Sequence, residues 1–266
     1  PPCSFNLNEK LRRTGSTGME ETGTKIYLLK LDKQLTSLLI ECARLKQVKL
    51  TGYFNTVAFY ALRDLYVENE LPVPSDYSCE IPANMRFRYK TKMSFSDMRF
   101  QACLGHLEVS RPEFGSFSDI WKDAQLIDRL VQECTSVDTG AIYSLTHNYD
   151  YLNAYNAIVL NSSSVESACK KLHEKNKCDL LVSNLGKNIW QNVKCNEGGA
   201  FRMSEIYFGD SVQSSPNILP ALMFHILFWN DEIMINLSGN KSSIDVKHLD
   251  RFMELFERRI RESVIS

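Results

Sequence analysis

The segment Asp179-Leu-Leu-Val-Ser-Asn-Leu-Gly186 predicts a buried strand that ends in a tight turn. The stretch Asp179–Val182, apolar from Leu180 onward, is short enough for a strand and is followed by turn-forming residues. Ser183 and Asn184 favour a turn because their side chains hydrogen-bond to nearby backbone groups, and Gly186 can adopt a positive φ at little steric cost. This segment therefore opens the part of the chain that decides the fold.

Strand-forming sequence continues from this segment to Gly239. After a polar loop, three stretches are predicted as paired strands, at Ala200–Phe208, Ile218–Trp229 and Glu232–Leu237. The last two are separated only by Asn230-Asp231, a connection of β-hairpin length. The C-terminal part of the chain is therefore predicted to be a strand meander.

The N-terminal part combines a polar arm with strand and helix patterns. Residues 1–23 are rich in Gly, Ser and Thr and are predicted as a linker or crossover arm, and residues 24–266 as one domain. Apolar and polar residues alternate along Lys25–Leu31 well enough to predict a strand. Asp32 is predicted to cap a helix to about Gln47, and Thr51 a second helix to about Glu68.

The remaining elements complete a mixed pattern of strands and helices. We expect two extended segments, a helix around Ile120 opened by Ser116 or Ser118, a shorter helix from Ser163 or Ser164 to about Asn176, and a closing helix. The extended segments are Tyr77–Tyr89 and Met98–Val109, and the closing helix is about Asp245–Ser263. Helices that alternate with strands and then give way to a meander predict an α/β (α+β) two-layer sandwich, a mixed sheet with packed helices.

Composition excludes several classes of function. The 31 basic and 32 acidic side chains give a net charge of −1, which argues against a nucleic-acid partner. The largest basic cluster, Arg258-Arg259-Ile260-Arg261, is predicted as a solvated helix end. None of the eight cysteines forms a CxxC pair, so no metal site is expected. No apolar run reaches the roughly 18 residues of a membrane span, and a soluble protein, cytoplasmic rather than secreted, is expected.

The order of the elements resembles the C-terminal half of the coenzyme A-dependent acyltransferase superfamily. A strand and two capped helices precede Asn84-Met85-Arg86, Leu104-Gly105, a helix, Ser183-Asn184-Leu185-Gly186 and a terminal meander with a helix. This superfamily includes chloramphenicol acetyltransferase, non-ribosomal peptide condensation domains and plant BAHD enzymes. The likeness is nearest to the alcohol O-acetyltransferase branch and covers most of residues 24–264.

The resemblance implies a catalytic histidine that this chain does not contain. In the superfamily, two similar halves enclose a tunnel, and a His-His-x-x-x-Asp motif in the N-terminal half supplies the general base for acyl transfer from a thioester. No two of the five histidines here are adjacent in sequence; they are His106, His147, His173, His225 and His248. A C-terminal Asp-Phe-Gly-Trp-Gly block of the BAHD branch corresponds to Tyr207-Phe208-Gly209-Asp210, where only Phe-Gly is kept.

Three residues are candidates for a substrate or cofactor site, and no catalytic residue is assigned. Ser183 and Asn184 end a strand where side-chain and backbone donors could meet a ligand, or they stabilise a turn. His225 is the one polar residue in the apolar stretch 222–228. It could belong to a site, or be a hydrogen-bonded histidine on the polar face of a sheet.

Two functions of different kinds follow from these residues and the resemblance. The first is the C-terminal half of an acyl-CoA-dependent O-acyltransferase-like protein that forms one wall of the tunnel for acyl group and acceptor. It implies a coenzyme A thioester as co-substrate, a small hydrophobic alcohol or acyl group as ligand, and an N-terminal half or a second copy as partner. The second is a non-catalytic protein on the same scaffold that binds a small hydrophobic ligand or serves in assembly. A lone half of either kind would expose the apolar face that normally meets its partner, so a stable association with another chain or with itself is expected.

Overall fold

The structure is a computed structural model that describes residues 23–73, 76–84, 104–112, 119–134, 180–186, 205–209, 220–241 and 244–265, with isolated positions between 153 and 167. The strands are β1 (Thr24–Leu31), β2 (Asp76–Asn84), β3 (Leu104–Pro112), β4 (Leu180–Gly186), β5 (Leu222–Trp229) and β6 (Glu232–Asn240). The helices with described bounds are α1 (Lys33–Leu45), α2 (Leu50–Glu68), α3 (Ile120–Cys134) and α4 (Val246–Ile265).

The six strands form one mixed sheet in the order β1-β6-β5-β4-β2-β3. β4 runs parallel to both of its neighbours, β5 and β2, whereas the pairs β1–β6, β5–β6 and β2–β3 are antiparallel. Parallel neighbours cannot be joined by a tight turn, so the chain must make long crossovers between them. The central position of β4 explains why the segment around it is so informative about the fold.

One face of the sheet, the helix face, shares a single hydrophobic core with the four helices. Phe224 of β5 contacts Phe252 and Phe256 of α4, with ring centroids 5.8 and 4.6 Å apart. The sheet also contributes Leu31, Cys79, Ile81, Val182, Ile226, Ile233, Ile235 and Leu237 to this core. A mixed sheet with helices packed on it confirms the predicted α/β fold class.

Local capping explains the start of α1 but not the start of α2. Asp32 Oδ1 accepts a hydrogen bond from the Leu35 backbone N–H at 2.8 Å, as predicted. The prediction that Thr51 caps α2 is wrong, because α2 begins at Leu50 and its N-cap residue, Lys49, makes no side-chain cap. Instead, the Lys49 N–H donates to Asp128 Oδ2 of α3 at 2.9 Å, so the carboxylate is supplied from another helix.

Aspartates also begin α3 and α4. Asp119 Oδ1 accepts hydrogen bonds from the Trp121 and Lys122 N–H groups at 3.0 and 3.3 Å, so Asp119 caps α3 in place of the predicted Ser116 or Ser118. Asp245 Oδ1 accepts from the Lys247 N–H at 3.0 Å, which confirms the predicted start of the closing helix. Carboxylates suit these positions because the helix dipole is positive at its N-terminus.

The arginines of α4 pair with carboxylates of α2 across the helix surface. Arg259 makes two hydrogen bonds of 2.7 Å to Asp64, and Arg251 makes two of 2.7 Å to Glu68. Arg258 also reaches Asp64, at 3.2 Å. The predicted solvated helix end is therefore part of an ion-pair network between two helices, although each exposed pair contributes little on its own.

Several predicted strand boundaries change. β2 ends at Asn84 and β3 spans Leu104–Pro112, so the extended segments are shorter or shifted relative to Tyr77–Tyr89 and Met98–Val109. Residues 205–208 have no regular secondary structure, so the strand predicted at Ala200–Phe208 is wrong over this described part. The Asn230-Asp231 hairpin is confirmed. Both residues have positive φ, 51° and 64°, as a type I′ turn requires.

Some predictions fall outside the described part of the chain. They include the arm at residues 1–22, Met85-Arg86 and most of the helix expected up to Asn176. At its start, Ser164 Oγ accepts a hydrogen bond from the Ser167 N–H at 3.1 Å, consistent with the predicted cap. Among the described helices, none is both long enough and apolar enough to cross a bilayer.

Candidate functional site

The second face of the sheet, opposite the helix face, carries a row of polar side chains across its central strands. Ser183 of β4 lies directly opposite His225 of β5, and His225 lies opposite Asn236 of β6. Side chains at paired positions point to the same face, so these three residues, here called the polar row, are neighbours. On the edge strand β1 the next residue in line is Leu28.

The polar row is buried although it consists of hydrogen-bonding groups. The exposed fractions are 8% for Ser183, 3% for His225 and 5% for Asn236, whereas Leu28 at the end of the line is 57% exposed. Leu181 and Met223 form a small apolar cluster on one side of the row, and buried Leu227 and Met234 flank the other side. The row is therefore flanked by buried apolar residues on both sides along β4 and β5.

Residues 205–209, here called the strap, cross the second face over β5 and β6. Glu205 forms an ion pair with Lys30 of β1 at 2.6 Å. The Phe208 carbonyl accepts a hydrogen bond from Asn236 Nδ2 at 3.1 Å, and the Phe208 ring contacts His225 edge-to-face with centroids 5.0 Å apart. Phe208, in the Phe-Gly pair compared above with the BAHD block, is thus the strap residue that contacts His225 and Asn236.

Gly209 allows the strap to lie this close to the sheet. A Cβ atom at this position would lie 1.8 Å from Asn236 Nδ2 and 2.8 Å from its Cγ. No side chain larger than hydrogen fits there unless the strap or Asn236 moves. The glycine is needed for close approach, since its φ lies outside the left-handed region.

Two groups at the strap have raised pKa values. The hydrogen bond to Glu205 raises the pKa of the Lys30 ammonium above its ordinary value. Burial, and then the Glu205 carboxylate, raise the pKa of the Tyr207 phenol. Both groups keep the charge state they have at neutral pH, so the strap remains paired to β1 under ordinary conditions.

Two oxygen atoms on the second face have no hydrogen-bond partner among the described residues. They are Asn236 Oδ1 and Ser238 Oγ, both buried on β6. Because leaving a buried polar atom unpaired costs about 1–3 kcal/mol, such atoms mark a place where a donor is expected. Asn236 and Asn240 both start Asn-x-Ser/Thr sequons, but at 5% and 1% exposure the folded chain does not offer them for glycosylation.

Asn184, the third predicted site residue, is separated from the polar row. The strand continues through Ser183 and Asn184 to Gly186, so the turn predicted at Ser183-Asn184 is displaced, and Asn184 points to the opposite face from Ser183. Asn184 Oδ1 accepts from the Gly186 N–H at 3.0 Å, and its Nδ2 donates to Thr51 Oγ1 at 3.3 Å. Gly186 has the predicted positive φ, 70°. Asn184 therefore fastens the end of β4 to the start of α2.

Sequence reasoning missed Asn236, Ser238 and the strap. The strand Glu232–Asn240 carries apolar residues at its odd positions and polar ones at 236, 238 and 240, and this alternation could have predicted a polar second face. The strap had no such signal, because residues 205–208 have the composition of a strand. Within the described residues, no group of three or more His, Cys, Asp and Glu side chains is placed to hold a metal ion.

Comparison with known proteins identifies the fold. No family model and no curated protein matches the sequence. Among solved structures, the chain is similar to the trichothecene 15-O-acetyltransferase of Fusarium sporotrichioides, with 14% identity, a TM-score of 0.62, and coverage of 92% of this chain and 48% of that one. It is also similar to the epimerization domain of the third module of tyrocidine synthetase B, with 9% identity, a TM-score of 0.56, and coverage of 94% of this chain and 52% of that one. A third match is the wax ester synthase/diacylglycerol acyltransferase of Marinobacter aquaeolei, with 10% identity, a TM-score of 0.52, and coverage of 91% of this chain and 48% of that one.

The chain shares the fold of these structures, which is consistent with the chloramphenicol acetyltransferase-like fold predicted from the sequence. It spans about half the length of each of the three. The fold implied by the resemblance is thereby confirmed, and membership of the superfamily stays a prediction. The narrower assignment to the alcohol O-acetyltransferase branch stays a prediction.

Proposed function

We propose that this chain is the C-terminal half of an acyl-CoA-dependent O-acyltransferase-like protein. The observation that carries the proposal is the shared fold over about half the length of structures whose names include an acetyltransferase and an acyltransferase. In this proposal the chain forms one wall of a tunnel for the acyl group and a small hydrophobic alcohol. A coenzyme A thioester is the co-substrate.

The partner in this proposal is an N-terminal half that carries His-His-x-x-x-Asp. The sequence offers no such motif of its own, so the general base for direct transfer to the acceptor would come from that half. Ser183 and His225 belong to the wall, whereas Asn184 supports it by fixing the end of β4 against α2.

A second candidate function is a non-catalytic protein on the same scaffold that binds a small hydrophobic ligand or serves in assembly. The observation that favours it is the exposure of Ile26 and Leu28 at 54% and 57% on the edge strand β1. Adjacent exposed apolar side chains on an edge strand are a surface that another molecule can cover.

The experiment that separates the two functions begins with the coding sequence upstream of Pro1. An α/β segment of about 150–200 residues with His-His-x-x-x-Asp supports the transferase, and a segment with those histidines replaced supports the binding protein. The two-half protein is then assayed for thiol release from acetyl-CoA with a panel of alcohols, with a variant lacking the motif histidine as control. Absence of release across the panel refutes the transferase.

Association with another chain is part of both proposals. We expect the isolated chain to form a complex with its N-terminal half or with itself, because an exposed apolar edge favours association. Light scattering at micromolar concentration measures this. A monodisperse monomer contradicts the prediction.

A further inference from the structure

We propose that β1 is a homodimer interface, in which two copies of this chain pair their β1 strands edge to edge and antiparallel, about a twofold axis at Tyr27. The inference rests on the association proposed above and names the surface and its occupant, a second copy. β1 is an end strand of the described sheet, and its Ile26 and Leu28 side chains are exposed on the second face. Exposed apolar side chains on an edge strand are suited to pairing with another strand.

The backbone of β1 directs alternate hydrogen-bonding groups away from the sheet. The Gly23 carbonyl accepts a hydrogen bond from the Lys241 N–H at 3.0 Å, and this pair extends the β1–β6 register by one position. The odd-numbered residues of β1 therefore bond to β6, and in an antiparallel pair the residues between them direct their N–H and C=O groups outward. These include Ile26, Leu28 and Lys30, whose outward groups bond to no backbone group among the described residues. β1 thus offers a hydrogen-bond ladder to an incoming strand.

The features that usually protect an edge strand do not protect β1. All 8 of its residues pair with β6 in one continuous register, so no bulge twists the edge away, and the strand contains no proline. Its two lysines are neutralised within the same chain, Lys25 by Asp250 and Lys30 by Glu205. Charge on this edge therefore does little to repel a second strand.

The side-chain pattern of β1 selects one twofold register. Paired residues must point to the same face, and the two registers that pair most of the strand have the axis at Tyr27 or at Leu28. With the axis at Tyr27, Ile26 of each copy lies opposite Leu28 of the other. Lys30 then lies opposite Thr24, whereas an axis at Leu28 would set Lys30 against Ile26, a charge against an apolar side chain. The register at Tyr27 packs the four exposed apolar side chains of the two copies against one another.

A second copy is the occupant because the strand is its own complement. A twofold pairing supplies the matching apolar residues by symmetry and uses each β1 edge once, so the assembly closes at two copies. Pairing of β1 with β3 of another copy would be head to tail and would leave a free edge at each end. The axis is perpendicular to the sheet, so the helices of both copies lie on the same face of one continuous sheet. Tyr27 and Leu29 are only half-buried on that face, so the helices leave the edge accessible.

The first test measures the mass of the full chain by light scattering at micromolar concentrations. We expect twice the 30.5 kDa of one chain, with a fall toward 30.5 kDa on dilution. Ile26→Lys should raise the dissociation constant of the dimer about 10-fold or more, since the substitution occurs twice in a twofold interface. Leu160→Lys, at a side chain that is also exposed, is the matched control and should leave the dimer unchanged.

A proline substitution tests the backbone pairing without adding charge. Leu28 directs its N–H outward, so Leu28→Pro removes a donor from the edge and none from the β1–β6 ladder. Proline is tolerated at such positions of edge strands. This variant should be monomeric, and thermal unfolding verifies that it and Ile26→Lys are folded.

A cysteine substitution tests the register. With the axis at Tyr27, the two residues at position 27 form a non-hydrogen-bonded pair with Cα atoms about 4.5 Å apart, which a disulfide can span. Tyr27→Cys should therefore form a disulfide between two copies on oxidation, and peptide mapping should show position 27 linked to itself. Leu29→Cys is the control, because its two copies lie four residues apart along the strands, about 14 Å.

A monomer at micromolar concentrations, or a dimer that persists in folded Ile26→Lys and Leu28→Pro, overturns the inference. Linkage through Leu29→Cys but not Tyr27→Cys overturns the register. If the lone chain dimerises but the two-half protein is a monomer, the N-terminal half covers β1, which overturns the second copy as occupant. The transferase assay is a separate readout. A dimer without thiol release leaves this interface and refutes the transferase, and a monomeric protein with thiol release does the reverse.

Discussion

Substitution of Gly209 by alanine tests whether the strap holds the polar row in the way described. The added Cβ would lie 1.8 Å from Asn236 Nδ2, where real Cβ contacts are not closer than 3.0 Å, so the two must separate by about 3.0 − 1.8 = 1.2 Å. Asn236 cannot simply swing away, because it is buried and hydrogen-bonded. Stretching its 3.1 Å bond to Phe208 by that amount breaks it and leaves a buried amide unpaired.

The expected cost follows from the lost hydrogen bond. An unpaired buried polar group costs about 1–3 kcal/mol, so Gly209→Ala should lower the free energy of unfolding by about 2 kcal/mol. At about 2–4 °C per kcal/mol for a chain of this size, the melting temperature should fall by about 4–8 °C. Urea unfolding and thermal melting measure the two quantities.

A double-mutant cycle with Asn236→Ala identifies the cause. Without the Asn236 amide, the nearest remaining atom to the new Cβ is Ser238 Oγ at 3.4 Å, an ordinary contact, so Gly209→Ala should then cost close to nothing. Gly186→Ala is the matched glycine control. It has a φ of 70° and open space around its Cβ position, so its cost is backbone strain that Asn236 does not change. An equal cost of Gly209→Ala in both backgrounds would refute the reasoning.

Three further predictions concern the helices and the core. Asp128→Ala removes the carboxylate that accepts the Lys49 N–H, and urea unfolding should show a loss of about 1 kcal/mol or more. Burial lowers the pKa of the His248 imidazole, so the unfolded chain binds this proton more strongly than the folded chain does. The free energy of unfolding should therefore fall as the pH drops below 6.5, and it should fall less in His248→Gln. Thermal melting as a function of pH measures this difference. Phe256→Ala should cost about 3–5 kcal/mol in urea, whereas Leu28→Ala, at an exposed position, should cost less than about 1 kcal/mol; similar costs for both would contradict the assignment of the two faces.

Predictions from sequence succeeded where the cause is local. Asp32 and Asp245 cap helices that begin one residue later, and Asn230-Asp231 forms a turn by its own backbone preference. Thr51 failed as a cap because the group that replaces it, Asp128, lies 79 positions from the Lys49 N–H that it accepts and is brought in only by helix packing. A single sequence contains no direct sign of such a partner.

The candidate site shows the same division between local and long-range causes. Ser183 and His225 were found separately, one as a strand end and one as a polar residue in an apolar run. Their adjacency depends on the pairing of β4 with β5, which a connection of 35 residues separates in sequence. Asn236 was not among the candidate residues predicted from sequence. Its role depends on a strap whose composition suggested a strand, and tertiary packing overrode that local preference.

The pairing of the first strand with the last has a consequence for how the chain is made. Among the described strands, β1 has its neighbour only in β6, and Thr24 pairs with Asn240, so 240 − 24 = 216 further residues must be synthesised before that partner exists. At about 5–20 residues per second, β1 waits on the order of 10 to 40 s. During this interval Ile26 and Leu28 stand on a strand with both edges open. The nascent chain therefore exposes these two apolar side chains until β6 has been made.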